Sequence, residues 1–287
     1  EESEIKNATS QNITLNEFDV YGGSIGLFIQ HINRRIMTTL ILNQCFFIDN
    51  VNNHSNSDPI FSTGGAFQCG YSSTIANISL QIINCEFKRN HCINGKGGAL
   101  SLNICNDISI TNTTFEGNFA AEEGGAIYLW GKVIQDVDPD EYEDPIIFDS
   151  LRIETFSLTN CKFIGNQGTE GSCIYIVEEN VHLINFVVDS CAMIDNACYS
   201  SQKFTIASSS MNVKFTNNNV TFTRASSNKS GSLLLNFTES SEIIDSYFNN
   251  CQTLNDSSLQ INNIGIQTIT TNIDNCTFIN CIARKYV

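Results

Sequence analysis

The sequence predicts an all-β chain wound as one parallel β-helix of about nine coils. Three observations carry that prediction. A short motif returns at a near-constant interval. The residues around it alternate apolar and polar with the period of a strand. No long window has the spacing of an amphipathic helix.

The motif centres on an anchor residue: Phe18, Phe47, Phe87, Phe115, Phe163, Met193, Phe222, Phe248 and Phe278. The intervals are 29, 40, 28, 48, 30, 29, 26 and 30 residues, so six of the eight fall between 26 and 30. The two long ones contain the polar stretch Asn52–Ser57 and the stretch Gly131–Asp149. The expectation is a single domain, 1–287, with loop insertions near 51–63 and 131–150. A unit just under 30 residues is too short for a propeller blade of roughly 40 or more, and it lacks a leucine ladder. A sandwich of antiparallel hairpins seldom repeats its own sequence and is set aside on that ground.

Each part of the unit has a physical job. Strands are expected at Leu80-Gln81-Ile82, Ile108-Ser109-Ile110 and Phe156-Ser157-Leu158, where side chains alternate. The anchor and the residue two before it share the inward face, so stacked coils place Phe on Phe about 4.8 Å apart. An Asn three after the anchor (Asn50, Asn90, Asn118, Asn166, Asn196) marks a turn. Asn accepts left-handed backbone there and bonds its neighbour in a ladder. A Gly-Gly-Ala step, clearest at Gly97-Gly98-Ala99 and Gly124-Gly125-Ala126 and echoed by Gly171-Ser172-Cys173, permits a sharp corner into the next strand.

Phe-x-x-Asn followed by Gly-Gly-Ala-Ile, as in Phe115, Asn118 and Gly124–Ile127, resembles the repeats of the polymorphic outer membrane proteins of bacterial and protist cell surfaces. The likeness is sharp between residues 84 and 174. It implies a right-handed parallel β-helix displayed at a surface and a role in adhesion. Nothing after Phe278 resembles the membrane β-barrel that ends the bacterial members, so their secretion route is not carried over.

The net charge is −15, which disfavours nucleic acid and anionic lipid as partners. Twelve cysteines without a Cys-x-x-Cys, and four scattered histidines (His31, His54, His91, His182), argue against a zinc site and for an oxidising compartment. Ten Asn-x-Ser/Thr sequons, at Asn7, Asn12, Asn53, Asn77, Asn112, Asn219, Asn228, Asn236, Asn255 and Asn275, favour a secreted glycoprotein carrying N-linked glycans. Asn112 and Asn275 are the doubtful two, because their neighbours enter a strand. No run of 18 apolar residues is present, so no membrane insertion is expected. No leader precedes Glu1, so a signal peptide is expected to have been removed already.

Numbered from the anchor, Cys45, Cys85, Cys161, Cys191 and Cys276 sit two before it, and Cys251 and Cys281 three after. Stacking then brings Cys45 near Cys85, Cys161 near Cys191 and Cys251 near Cys281, which makes these the expected disulfides. Cys85–Cys92 and Cys191–Cys198 are local competitors, and inward cysteines also serve as reduced core fillers.

No catalytic, cofactor-binding or metal residue is proposed from sequence. Asp245 and Asp274 stand at different offsets from their anchors, and Asp189 and Asp195 have no histidine partner. An enzyme acting on polysaccharide therefore ranks below two other functions. The acidic run Asp136–Asp144 lacks the glycine of a calcium loop and reads as a solvated loop beside Trp130. The first function is a structural subunit of an extracellular fibre or coat, associating head to tail through coil edges. The alternative is an adhesin whose loops bind surface ligands.

Overall fold

The computed structural model describes residues 10–16, 19–21, 25–27, 37–53, 64–69, 77–103, 105, 107–131, 151–178, 181–198, 206–208, 214–218, 221–223, 226–227, 233–237, 240–253, 259–263 and 270–283. These residues form short strands and no helix. Every pairing between strands is parallel and joins one repeat to the next, which makes a parallel β-helix.

One coil shows the plan. Strand Asn77–Ile83 is followed by Glu86–Lys88, then His91–Cys92, then Leu100–Asn103. Repetition of these four strands builds four sheets, two of nine strands and two of eight. The nine long strands, from Ser10–Asn16 to Thr270–Asp274, count the nine coils that the anchor spacing predicts.

Register confirms the anchor frame. Phe47 pairs with Phe87, Phe87 with Phe115, Phe115 with Phe163, and Phe163 with Met193. The rings stack nearly parallel, with centroids 4.7, 5.1 and 4.8 Å apart along the phenylalanines. Phe248 and Phe278 repeat the arrangement at 4.5 Å. Successive rings are held at the strand spacing, so Phe87 and Phe115 bury both faces without altering the backbone. The first coil departs from expectation. Val20, not Phe18, pairs with Phe47, and Phe18 lies outside the described residues.

The corners correct a second expectation. The ladder asparagines are not the left-handed residues. The residue before each one is: Asp49, Arg89, Gly117, Gly165 and Asp195, with φ of 57°, 51°, 63°, 62° and 55°. A second left-handed corner precedes the anchor by three, at Gln44, Asn84, Asn112, Asn160, Ser190, Asp245 and Asn275. Placing the turn one residue earlier leaves the following Asn, Cys or Thr side chain aimed inward.

The third corner is the glycine step. Gly97 and Gly124 adopt positive φ, 72° and 69°, while the second glycine is required for space. A Cβ on Gly98 would collide with the carbonyl oxygen of Gly125, and one on Gly125 with that of Ser172. Gly64-Gly65-Ala66 is a further copy of this step, leading into strand Phe67–Cys69.

The first insertion is shorter than expected, because Val51–Asn52 is a strand of the scaffold. Residues 54–63 and 132–150, the side chain of Trp130, and the later small-residue steps at 230–232 and 257–258 lie outside the described residues.

Candidate functional site

Two polar ladders run beneath the left-handed corners. In the first, Asn50, Asn90, Asn118, Asn166 and Asn196 are buried. Asn90 Nδ2 donates to Asn118 Oδ1 at 2.9 Å and to the Phe47 carbonyl at 2.9 Å, and Asn90 N–H donates to the same Asn118 Oδ1 at 3.0 Å. Asn118 and Asn166 repeat the pattern. Each side chain thereby joins three successive coils and satisfies a corner amide and a strand carbonyl.

The second ladder contains most of the cysteines singled out in the sequence. The amide of Cys45 donates to Cys85 Sγ at 3.4 Å, that of Cys85 to Thr113 Oγ1 at 3.3 Å, and that of Cys161 to Cys191 Sγ at 3.3 Å. In return Cys85 Sγ donates to the Ile83 carbonyl at 3.2 Å, and Cys161 Sγ to that of Thr159 at 3.4 Å. Thr113 and Ser246 do the same with hydroxyls, to Thr111 at 2.9 Å and Ile244 at 2.8 Å. The position demands a small inward group that both accepts and donates. At the C-terminal end of the asparagine ladder Cys281 takes the Asn role, its Sγ meeting the Phe248 carbonyl at 3.5 Å.

Stacking of Cys45 on Cys85, Cys161 on Cys191 and Cys251 on Cys281 follows the shared offset, and all twelve cysteines are thiols in the structure. Burial pushes the Cys85, Cys92 and Cys198 thiols up to about 12. Contact with Cys161, then burial, pushes Cys191 up as well. Such groups are poor nucleophiles in the folded chain. Cys92 and Cys198 face inward on the short strands.

The sequons fall in several places. Asn53, Asn112 and Asn275 are exposed. Asn112 and Asn275 occupy the same left-handed outer corner, so entry of their neighbours into a strand does not hide them. Asn160 Nδ2 donates to Asn112 Oδ1 at 2.6 Å, and Asn94 Nδ2 to Asn53 Oδ1 at 3.0 Å, so in both sequons the bonded atom is the oxygen. Asn275 Nδ2 donates to Asp245 Oδ1. Asn12, Asn77 and Asn236 lie on strands whose pairing is described but whose side chains are not, and Asn7, Asn219, Asn228 and Asn255 lie outside the described residues.

One polar cluster had no sequence signal, because its members come from three coils. Lys96 Nζ lies 2.9 Å from Glu123 Oε2 and donates to Tyr128 Oη at 3.3 Å, with Glu122 at 4.0 Å. Tyr128 stacks on Tyr175, centroids 6.3 Å apart. Burial opposes the Lys96 charge, but the hydrogen bonds and charges of Glu123 and Tyr128 outweigh it and hold the ammonium above its ordinary value. Burial, then Glu123, pushes Tyr175 up to about 12. The cluster ties the glycine corners of adjacent coils together. Asp274 pairs with Ile244 rather than with Asp245, so those two carboxylates share no row. His91 packs edge-on against Phe119, and His182 stands opposite Arg152 in the strand register. No helix among the described residues is long and apolar enough to cross a membrane.

Compared with known proteins, the chain matches no family profile, no curated protein and no solved structure.

Proposed function

We propose that this chain is a secreted, N-glycosylated structural element of a cell surface or extracellular matrix: a stiff rod that carries sugars along one edge. The observation that supports this reading most is the place of the outer-corner sequons. Asn112 and Asn275 stand exposed on the same edge of the solenoid. Asn219, three before Phe222, has the same place in the sequence repeat. Sugars attached there project outward and leave the inward ladders untouched. Nine layers at about 4.8 Å give a rod of about 40 Å, stiffened by hydrogen bonds that pass from coil to coil.

The reading includes association along the rod axis. The ninth coil exposes Ile273, Phe278, Ile279 and Ile282, whereas the corresponding Ile243 and Phe248 one layer in are fully buried. A coil of the same repeat, from a second copy or from more of the same polypeptide, covers that layer and pairs its strand edges. Light scattering and negative-stain microscopy of the secreted protein test the reading. Rods that lengthen with concentration support it; a compact monomer at every concentration contradicts the association.

A further inference from the structure

We propose that Cys69 and Cys105 form a disulfide that ties the second coil to the connection between the third and fourth. Their thiols meet, with Sγ 3.9 Å from Sγ, and both residues are fully buried. Neither belongs to the anchor frame that organises the other stacked cysteines.

The surroundings of the pair distinguish it from those cysteines. At the second-ladder position Cys alternates with Thr113 and Ser246, because each side chain there donates to a carbonyl. Cys69 instead stands in an apolar inward column with Leu102, Leu129 and Ile176, and register continues the row to Leu27. Its Sγ accepts the contact from Cys105, which follows strand Leu100–Asn103 by two residues. A cysteine in a leucine column that meets a second cysteine is placed for a cross-link rather than for the ladder's hydrogen bonds.

The chemistry is thiol–disulfide exchange. Two S–H bonds break and one S–S bond forms. The two electrons and two protons pass to a low-molecular-weight disulfide, which leaves as two thiols after a mixed-disulfide intermediate. A bonded pair stands about 2 Å apart, so the side chains rotate toward each other as the bond forms. Contact with Cys69 and full burial hold Cys105 protonated well above the ordinary thiol range. The exchange therefore precedes closure of the coil, while the thiolate is still accessible. The proposal rests on the secreted reading only for the natural source of the oxidant.

The test is a peptide map of the full chain secreted by a eukaryotic host, alkylated in denaturant without reductant. The expected result is a linked peptide pair containing Cys69 and Cys105, which reductant separates. In the Cys69→Ser variant Cys105 becomes alkylated. Alkylation of both residues in the wild-type chain, or linkage of either to another cysteine, overturns the proposal. The intact mass of the same material reads glycosylation separately. A bridge without glycans would sink the glycoprotein reading and leave the bridge standing; glycans without the bridge would do the reverse.

Discussion

Replacing Asn118 with alanine tests the ladder that holds the coils in register. Asn118 is fully buried. Its Oδ1 accepts from Asn90 N–H at 3.0 Å and from Asn90 Nδ2 at 2.9 Å, and its Nδ2 donates to the Phe87 carbonyl at 2.9 Å and to Asn166 Oδ1 at 2.9 Å. Truncation strips a partner from four groups, of which Asn90 Nδ2 and Asn166 Oδ1 keep another, the Phe47 carbonyl and the Asn118 N–H. A buried polar group left without its partner costs about 1–3 kcal/mol, so for the other two, Asn90 N–H and the Phe87 carbonyl, the expected loss is roughly 2–6 kcal/mol, the lower end applying if water enters the gap. That is a large part of the roughly 5–15 kcal/mol that holds a domain together. The control is Asn160→Ala, which removes one exposed hydrogen bond at the outer corner and places alanine at positive φ, for about 1–2 kcal/mol. Urea unfolding followed by circular dichroism, at one protein concentration, gives both values. The reasoning fails if Asn118→Ala costs no more than Asn160→Ala.

Two further outcomes follow from the corners and the buried thiols. Gly125→Ala drives a Cβ into the Ser172 carbonyl and should prevent a soluble fold, whereas Gly165→Ala meets nothing within 4 Å and should cost only the left-handed penalty of about 1–2 kcal/mol; equal expression and equal urea midpoints would contradict this. In the reduced protein, Cys85, Cys92 and Cys198 are raised from 9.0 to about 12, so both states are protonated below pH 9 and the thiols' contribution is fully present there. Between pH 9 and about 12 the unfolded chain loses protons that the folded chain keeps. Stability must then fall as pH rises, and a urea midpoint unchanged across pH 9 would show that these thiols are not held neutral.

Much of the fold was legible because the repeat is written in inward-facing residues. Phe47, Phe87, Phe115 and Phe163 stack ring on ring, and Asn90 bonds to Asn118 in register, so each position constrains the next coil. The left-handed corners were harder to place. Gln44, Asp49 and Arg89 take positive φ although two of them are not residues that favour it. The ladders on either side impose the turn, and the corner side chains bond along the exposed outer edge, as Arg89 does to Asp49 at 2.6 and 2.7 Å. The first anchor was misplaced because Phe18 sits two residues from Val20, and a lone aromatic outweighs a valine in a sequence pattern. The Lys96, Glu123 and Tyr128 cluster was invisible because its partners are 27 and 32 residues away and follow no motif. Sequons at Asn112 and Asn275 could be read as motifs, but their exposure depended on knowing that the corner precedes the strand.

The most direct test of the account is the intact mass of the protein secreted from a eukaryotic host, before and after enzymatic removal of N-linked glycans. The enzyme converts each released asparagine to aspartate, so peptide mapping locates the sites. The account predicts a fall in mass and aspartate at Asn53, Asn112 and Asn275, the exposed sequons among the described residues. An unchanged mass, with asparagine intact at all three, would contradict the reading of this β-helix as a glycan-bearing extracellular rod.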